Sequence, residues 1–173
     1  VSIGSVSNVM RELEELNYVL KTTEKRVLKN KTALLERWMI AYNEVLRPRL
    51  VRKKMRFINE EDYRNWENIT LNTNNEKILW GGEPGGALLT GTLRPEEFTI
   101  YSNVQIPELA KTMKMVPDES GNLEILNVFW NNLNHQEKTV SPLLIYADLI
   151  NSGYARNIET ANIILENELQ YIK

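Results

Sequence analysis

Apolar residues recur at helical spacing near the start of the chain and predict an amphipathic helix over residues 2–17. The opposite side of this helix carries short polar groups and one arginine, Arg11, which suit close approach to a DNA backbone or base edge. An ordinary amphipathic surface helix also fits the pattern. The spacing places these residues on the side that we expect to face a core: Val6, Val9, Met10, Leu13 and Leu16.

A basic hairpin is predicted directly after this helix. Residues 18–21 and 25–29 read as two short strands, and residues 22–24 between them read as a turn. A helix leading into a basic hairpin forms the second half of a winged helix, in which the hairpin cations would neutralise phosphates. A solvated charged hairpin is the alternative. A winged helix needs one or two helices before its recognition helix, and the chain begins at Val1 without Met. We therefore expect a trimmed fragment that binds DNA poorly by itself.

The pattern next predicts a helix capped by Thr32 that runs to Leu46 and is stopped by Pro48. Residues 47–57 interleave cations with apolar side chains, so they form either a strand with one basic face or a linker that contacts nucleic acid. The core positions expected on the helix are Leu34, Leu35, Trp38, Met39, Tyr42 and Val45. The same rules predict short helices at 60–68 and 106–113, a polar loop at 72–76, and strands at 78–80, 98–101, 115–116 and 123–130.

Two helices close the chain. Ser141 is expected to cap a helix over 142–150 that ends at Ser152-Gly153, and Asn157 to cap a second helix. Upstream, Pro84 fits the first turn of a helix whose small residues Gly85, Gly86 and Ala87 would let it lie close against a sheet. The predicted fold class is α+β, with three parts: a partial winged helix at 1–31, a connecting helix and basic segment at 32–57, and a mixed α/β domain at 58–173.

Charge is divided unevenly along the chain. Residues 1–57 contain 13 Lys/Arg and 6 Asp/Glu, a balance of +7, and the remainder contains 8 and 17, a balance of −9. This division suggests that nucleic acid is held by the N-terminal part. The apolar content of 42% supports a substantial core, and no apolar run is long enough for a membrane span. Cysteine is absent, so we expect neither disulfides nor thiolate metal sites, and a cytoplasmic location.

The pair Gly81-Gly82, which follows a strand and precedes a helix, would cradle a phosphate in a nucleotidyl-transfer enzyme. Such chemistry needs clustered acidic residues to hold divalent cations, whereas the three aspartates, Asp62, Asp118 and Asp148, are far apart in the sequence. His135 is the sole histidine and lies in a polar stretch, so it cannot found a zinc site or a catalytic triad. We expect no enzyme activity, no metal and no cofactor.

Three segments together resemble the AbiEi-type antitoxins of type IV toxin–antitoxin systems, which act in bacterial abortive phage defence. The segments are SIGSVSNVMRELEELNY at 2–18, WGGEPGGALLTG at 80–91 with LRP at 93–95, and PLLIYADLINSG at 142–153 with RNIE at 156–159. The first is general to winged helices, and the other two in this order are more specific. The resemblance implies a winged helix that represses its operon, followed by a degenerate nucleotidyltransferase-like domain that counters a nucleotidyltransferase toxin.

The resemblance also implies which residues contact the two partners. It places contacts to operator DNA on Ser5, Ser7, Asn8 and Arg11 of the helix and on Lys25 and Arg26 of the wing. It places an antitoxic surface on the second module, at Glu83, Asp148, Arg156 and Asn157. A structural role is the alternative for these four, in which Asp148 pairs with Arg156 and Asn157 only caps a helix. At the level of function, the alternative is a ligand-responsive winged-helix regulator whose pocket is lined by Trp80 and the double glycine.

Overall fold

In the computed structural model, which describes residues 2–69, 72–73, 76–130 and 138–172, an exposed helix and a hairpin form the N-terminal unit. Helix α1 (Ile3–Glu15) begins after Ser2, whose side chain accepts a hydrogen bond from the backbone N–H of Ser5. Strands β1 (Val19–Lys21) and β2 (Arg26–Leu28) then pair antiparallel. The helix and the hairpin predicted from the sequence are both present.

The apolar side of α1 is not buried as predicted. Val6 and Val9 expose 52% and 54% of their surface and Leu16 exposes 40%, while Met10 and Leu13 are only half-buried. Periodicity shows which residues share a side of a helix, but it does not show how closely that side is covered. Here Val9 and Leu13 line an apolar cavity of about 400 Å³ rather than a packed interface.

The second helix contains a π-helical turn that the spacing rules could not anticipate. Helix α2 (Lys31–Ala41) runs through the turn Tyr42–Leu46 into α3 (Arg47–Leu50), and the N–H of Arg47 reaches back five residues to the carbonyl of Tyr42. The extra residue in this turn shifts the helical phase. As a result Val45, predicted to be buried, is half exposed, and Leu46 packs against the core instead.

Both predicted boundaries of this helix are wrong. Its N-cap is Asn30 in a left-handed conformation, not Thr32. Pro48 does not stop it, because the π-helical turn lets Pro48 fall in the first turn of a new α-helical segment. A missing N–H costs little at that position. Chain direction changes only after Leu50.

A six-stranded mixed sheet forms the centre of the remaining chain. Its order is β4-β5-β6-β8-β3-β7, and the neighbouring pairs are antiparallel except for β6 and β8, which are parallel. Residues 51–57 of the basic segment are therefore a strand of the sheet, residues 47–50 are helical, and the linker alternative is wrong. The strands are β3 (Val51–Phe57), β4 (Asn72–Thr73), β5 (Glu76–Gly81), β6 (Phe98–Ser102), β7 (Met115–Pro117) and β8 (Leu123–Leu126).

Two sequence predictions about strands need correction. The expected loop at 72–76 contributes β4 and the first residue of β5, which pair through backbone hydrogen bonds and so need no apolar pattern. The strand expected over 123–130 ends at Leu126, where its pairing with β3 and β6 also ends.

Helices cover both sides of the sheet. Alternating residues divide between two cores, so that Leu79 and Tyr101 face one side while Trp80 and Ile100 face the other. The helices of this part are α4 (Glu60–Arg64), α5 (Gly82–Thr90), α6 (Ile106–Thr112), α7 (Pro142–Ser152) and α8 (Ala155–Asn167), with 3₁₀ turns at Trp66–Asn68 and Gln170–Ile172. No helix among the described residues is long and apolar enough to cross a membrane.

The small residues of α5 allow close packing against the sheet, as predicted, since a Cβ on Gly85 would lie 3.3 Å from the carbonyl oxygen of Trp80 in β5, and they also allow close packing against two helices. A Cβ on Gly85 would lie 2.8 Å from Cδ1 of Ile145, and a Cβ on Gly86 would lie 3.0 Å from Leu149 and 3.2 Å from Thr160. These contacts belong to α7 and α8. The close approach brings the N-terminus of α5 next to Asp148 of α7.

Candidate functional site

The four helix residues predicted to contact DNA lie on the exposed surface of α1. Ser5, Ser7, Asn8 and Arg11 are all exposed. Nη2 of Arg11 donates to Oδ1 of Asn8 at 3.3 Å, which places the two side chains one turn apart on the same surface. This arrangement offers donors and acceptors to a partner without first breaking a buried contact.

The hairpin is tied to α1 by an ion pair. Nε of Arg26 lies 2.8 Å from Oε1 of Glu14, and the Arg26 side chain remains about half exposed. Lys25 is exposed at the tip, where its N–H and carbonyl both bond to Thr22. Arg26 therefore fixes the hairpin against the helix, which the sequence did not suggest.

Most of the positive surplus of residues 1–57 lies outside this unit. Residues 1–31 contain six Lys/Arg and four Glu, a balance of +2, and residues 32–57 contain seven and two, a balance of +5. We term the chain from α2 onward the body. Many cations of residues 32–57 are neutralised within it, because Arg47, Lys53 and Arg56 form ion pairs with its acidic residues. The charge asymmetry of the sequence therefore overstates the free positive charge.

Asp148 lies at the centre of a buried polar group, termed the Asp148 network, formed with Arg47, Glu124, Tyr42 and Tyr101. Nε of Arg47 donates to Oδ1 of Asp148 at 2.8 Å, and Nη1 of Arg47 lies 2.8 Å from Glu124. The hydroxyl of Tyr101 donates to Oδ2 at 3.0 Å and lies 2.5 Å from the hydroxyl of Tyr42. The network joins the π-helical turn, α3, the sheet and α7.

Burial controls the protonation of this network. It raises the pKa of the Asp148 carboxyl, which the Arg47 guanidinium and the hydrogen bonds oppose. Burial, and then the charge of Asp148, raise the pKa of both Tyr42 and Tyr101, so both hydroxyls keep their protons. The tyrosines are therefore hydrogen-bond donors that hold the carboxylate in place.

The phosphate cradle that the double glycine could form is occupied by the protein itself. The N–H of Gly82 at the start of α5 donates to Oδ2 of Asp148 at 3.3 Å. Gly81 pairs with Thr99 of β6, and a Cβ on Gly81 would lie 2.5 Å from the Tyr101 ring. The double glycine therefore makes room for Tyr101 and Asp148 in this structure.

Glu83 organises a second polar group, termed the Glu83 network, with Arg156, Asn157 and Glu96. Its carboxylate is 3% exposed and accepts from Nη2 of Arg156 at 2.9 and 3.0 Å and from Nδ2 of Asn157 at 2.8 Å. The backbone N–H groups of Glu96 and Glu97 also donate to it. Arg156 pairs in addition with Glu96 at 2.8 Å. The network ties the start of α5 and the 96–97 turn to α8.

The structural roles suggested for three of these residues are wrong. Arg156 pairs with Glu83 instead of Asp148, whose ionic partner is Arg47. Asn157 is not a cap, because α8 begins at Ala155 after Tyr154, and Asn157 is buried in its first turn. Glu83, Asp148 and Asn157 are 3%, 6% and 1% exposed, so they do not protrude as a contact surface.

The two networks meet at a cavity of about 170 Å³. Gly82, Glu83, Asp148 and Asn157 all line it. Trp80 does not: it is 1% exposed and packs against Trp66 and Phe98 on the other side of the sheet. Of the three residues proposed to line the pocket of a ligand-responsive regulator, Trp80 and the double glycine, only Gly82 lines this cavity, and the tryptophan is part of the core.

The described part of the chain contains no group of three or more acidic or histidine residues that could hold a metal ion. His135, which the sequence excludes as the basis of a zinc site or a catalytic triad, lies outside the described residues.

Sequence reasoning missed the partners of Asp148. Tyr42 was assigned only to the core, Tyr101 only to a strand, and Arg47 to a nucleic-acid segment or an exposed strand. One signal was available, because Asp148 is the only charged residue in the apolar helix PLLIYADLI. A charge on a buried helix requires a buried partner.

Comparison with known proteins identifies the family. A family model described as "Transcriptional regulator, AbiEi antitoxin, Type IV TA system" matches residues 26–172, or 147 of 173 residues. The match begins in the second strand of the hairpin and includes both polar networks. Neither a curated protein nor a solved structure matches the chain. The chain belongs to the AbiEi antitoxin family, a family of transcriptional regulators from type IV toxin–antitoxin systems.

Proposed function

We propose that this protein is an antitoxin and transcriptional autorepressor that binds operator DNA through α1 and the hairpin as a winged helix. Support comes from its family and from one structural observation, the exposed polar surface of α1 with the wing fixed beside it by Arg26 and Glu14. Ser5, Ser7, Asn8 and Arg11 read the groove or position the helix, and Lys25 and Arg26 contact phosphates.

A mobility shift with operator DNA tests the DNA-binding part. Replacing Arg11 and Arg26 together with Ala is expected to abolish the shift at moderate salt, because a base or groove contact and a phosphate contact are both lost. Replacing Arg64 and Arg94 of the body with Ala is the matched control, since it removes the same charge elsewhere. An unchanged shift with the first double variant would place the DNA contacts on another surface.

We also propose that the C-terminal part counters a nucleotidyltransferase toxin, directly or indirectly, and is itself degenerate and non-catalytic. Asp148 supports the second point, because its carboxylate takes the Gly82 N–H that a phosphate would need and its charge would repel that phosphate. Incubation with each labelled nucleoside triphosphate and magnesium is expected to give no labelled product. Incorporation of any of the four would overturn this part.

The antitoxic surface is proposed to surround the rim of the Glu83 network, where Arg156 and Glu96 are accessible. The buried members Glu83, Asp148 and Asn157 position this rim. Co-expression with the toxin encoded by the neighbouring gene is the test, with cell growth as the readout. The protein is expected to restore growth, and Arg156→Ala to weaken rescue more than the control Arg37→Ala on α2. Failure of the unchanged protein to rescue growth would exclude the antitoxin function.

A further inference from the structure

The apolar cavity beside α1 lies between the N-terminal unit and the body, away from both polar networks. It is enclosed by α1, β2, α2, the start of α7 and the C-terminal 3₁₀ turn, which contribute, among others, Val9, Leu28, Leu34, Leu143 and Tyr171. Its volume is about 400 Å³. Pockets for small molecules usually have volumes of roughly 300–1,000 Å³, so a ligand of this class fits.

The lining of this cavity is almost entirely apolar. Nine of the ten residues that line it carry aliphatic or aromatic side chains. Val9 is 54% exposed and Leu28 is 45% exposed, and three more are half-buried: Leu13, Leu34 and Trp38. Apolar side chains that meet water within one concave surface mark a place where burial against an apolar ligand is favourable.

Among the described residues that line the cavity, Lys31 alone is charged. It is half-buried, and its Nζ donates to the carbonyl oxygen of Tyr171, which also lines the cavity. A carbonyl has no net charge, so this bond orients the ammonium without neutralising it, and an ammonium has three N–H donors. Helix α2 begins at Lys31 with no acidic residue in its first turn, so the partial positive charge of the helix N-terminus adds to that of the lysine.

The volume, the apolar lining and the positive charge together specify one class of ligand. An apolar chain would be buried among the side chains of α1 and α2, and a carboxylate at its end would accept from Lys31. A cation of the same shape would be repelled by the ammonium. A second copy of the protein is a competing occupant, which would make the protein dimerise through α1.

We propose that this cavity binds a free monocarboxylate with an aliphatic chain, which lies between Val9 and Trp38 and directs its carboxylate to Lys31. Such a ligand contacts the N-terminal unit and the body at the same time. The inference does not depend on DNA binding or toxin neutralisation.

Titration calorimetry with octanoate tests the proposal on the intact protein, with octylammonium as the cationic comparison of the same chain length. Saturable binding of octanoate and about tenfold weaker binding of octylammonium are expected. Lys31→Met should weaken octanoate binding about fivefold and tighten octylammonium binding, because it removes the charge but keeps an apolar stem. Loss of folding cannot tighten binding. Lys21→Met on the exposed hairpin, which does not line the cavity, is the matched control and should leave both Kd values unchanged.

Two valines of α1 test where the aliphatic chain lies. Val9 lines the cavity and is 54% exposed, whereas Val6 is 52% exposed and does not line it. Val9→Gln should weaken octanoate binding about threefold, because an apolar contact with the chain is lost, and Val6→Gln should leave it unchanged. Equal effects of the two variants, or no saturable binding of octanoate by the unchanged protein, would overturn the proposal.

Light scattering over a series of protein concentrations distinguishes this ligand from a second copy. The oligomeric state is expected to be the same with and without octanoate. A dimer that dissociates on addition of octanoate or in Val9→Gln would assign the cavity to a second copy and contradict the proposal. Equal affinities of the unchanged protein for octanoate and octylammonium would also contradict it, because Lys31 would then take no part in binding.

Discussion

The N-terminal unit and the body differ in where their main charged residues lie, at the surface in the first and in the interior in the second. In the unit formed by α1 and the hairpin, charged side chains lie on the surface, and the Arg26–Glu14 pair is partly exposed. In the body, Asp148 and Glu83 are almost completely buried, and each accepts several hydrogen bonds. Charges of the first kind are free to meet a partner, whereas charges of the second kind hold the fold together.

This difference changes how the net charge of a segment should be read. The surplus of residues 1–57 suggested a basic surface, yet Arg47 and other cations of the 47–57 segment bind acidic groups of the body. A count of charges does not distinguish a cation that is exposed from one that is paired within the fold. The smaller surplus of the N-terminal unit is the part that would be available to the proposed DNA partner.

The largest expected effect comes from removing the buried acid. Asp148→Ala leaves Arg47 and two tyrosines without their central partner and should lower the free energy of unfolding by about 3–5 kcal/mol. Arg26→Ala at the exposed pair of the N-terminal unit should lower it by only about 0–1 kcal/mol. Urea denaturation measures both.

Removing the uncompensated charge is the control for the Asp148 variant. Asp148→Ala combined with Arg47→Met should recover part of the lost stability, because the guanidinium is removed together with its buried partner, and Glu124, which loses Arg47, is 22% exposed and can be hydrated. Equal stability losses in Asp148→Ala and Arg26→Ala would contradict the comparison, because a buried charge would then contribute no more to stability than an exposed one.

Alanine substitutions at two glycines should change the stability by intermediate amounts and in opposite directions. Gly85→Ala places a Cβ 2.8 Å from Ile145, so the α5–α7 contact must shift, and the variant should lose about 1–3 kcal/mol of stability. Gly4→Ala meets only the side-chain oxygen of Ser2 at 3.8 Å, and helix propensity should raise stability by about 0.5 kcal/mol. Thermal unfolding measures both. A stable Gly85→Ala variant would show that α5 and α7 can separate at little cost.

The smallest expected effect is the contribution of Glu97 to the pH dependence of the stability. Because its pKa is raised in the folded state, Glu97 stabilises the fold fully below its unfolded pKa, and this contribution is lost as pH rises through the folded pKa. Glu97→Gln should therefore make the protein slightly more stable at pH 7 than the unchanged protein. At pH 3 the two should be equally stable.

The exposed turn residue Glu24 provides the comparison for this pH effect, measured as Glu24→Gln by the same urea titrations. A larger stabilisation from Glu24→Gln than from Glu97→Gln would contradict the raised pKa that burial, and then the charge of Glu83, give to Glu97.

Local sequence patterns predicted where helices and strands occur better than they predicted how these elements are packed. Helix α7 was expected from Pro142 to the Ser152-Gly153 stop, and the structure ends it at Ser152, because proline, glycine and apolar spacing all act within one helix. The π-helical turn at Tyr42–Leu46 was missed because spacing does not specify which carbonyl each N–H reaches. Exposure of Val6 and Val9 was missed because periodicity does not specify how a helix side is covered.

The candidate residues of the body were found only through family resemblance, and neither the pairing among Glu83, Arg156 and Asn157 nor the partners of Asp148 were predicted. Arg47 and Asp148 are 101 residues apart in sequence, and Glu83 and Arg156 are 73 apart. Pairing over such distances depends on how α5, α7 and α8 pack, which no local rule supplies. The isolated acid in α7 indicated that a partner was needed, but it did not identify Arg47.

The dependence of DNA affinity on salt is the most direct test of the division between an exposed basic unit and an internally paired body. Operator binding should be measured by fluorescence anisotropy over a series of salt concentrations. Each phosphate contact contributes about 0.9 to the slope of log K against log salt. Lys25→Ala should therefore lower the slope by about one, and Arg56→Ala in the body should leave it unchanged. A reduced slope for Arg56→Ala with an unchanged slope for Lys25→Ala would contradict the account.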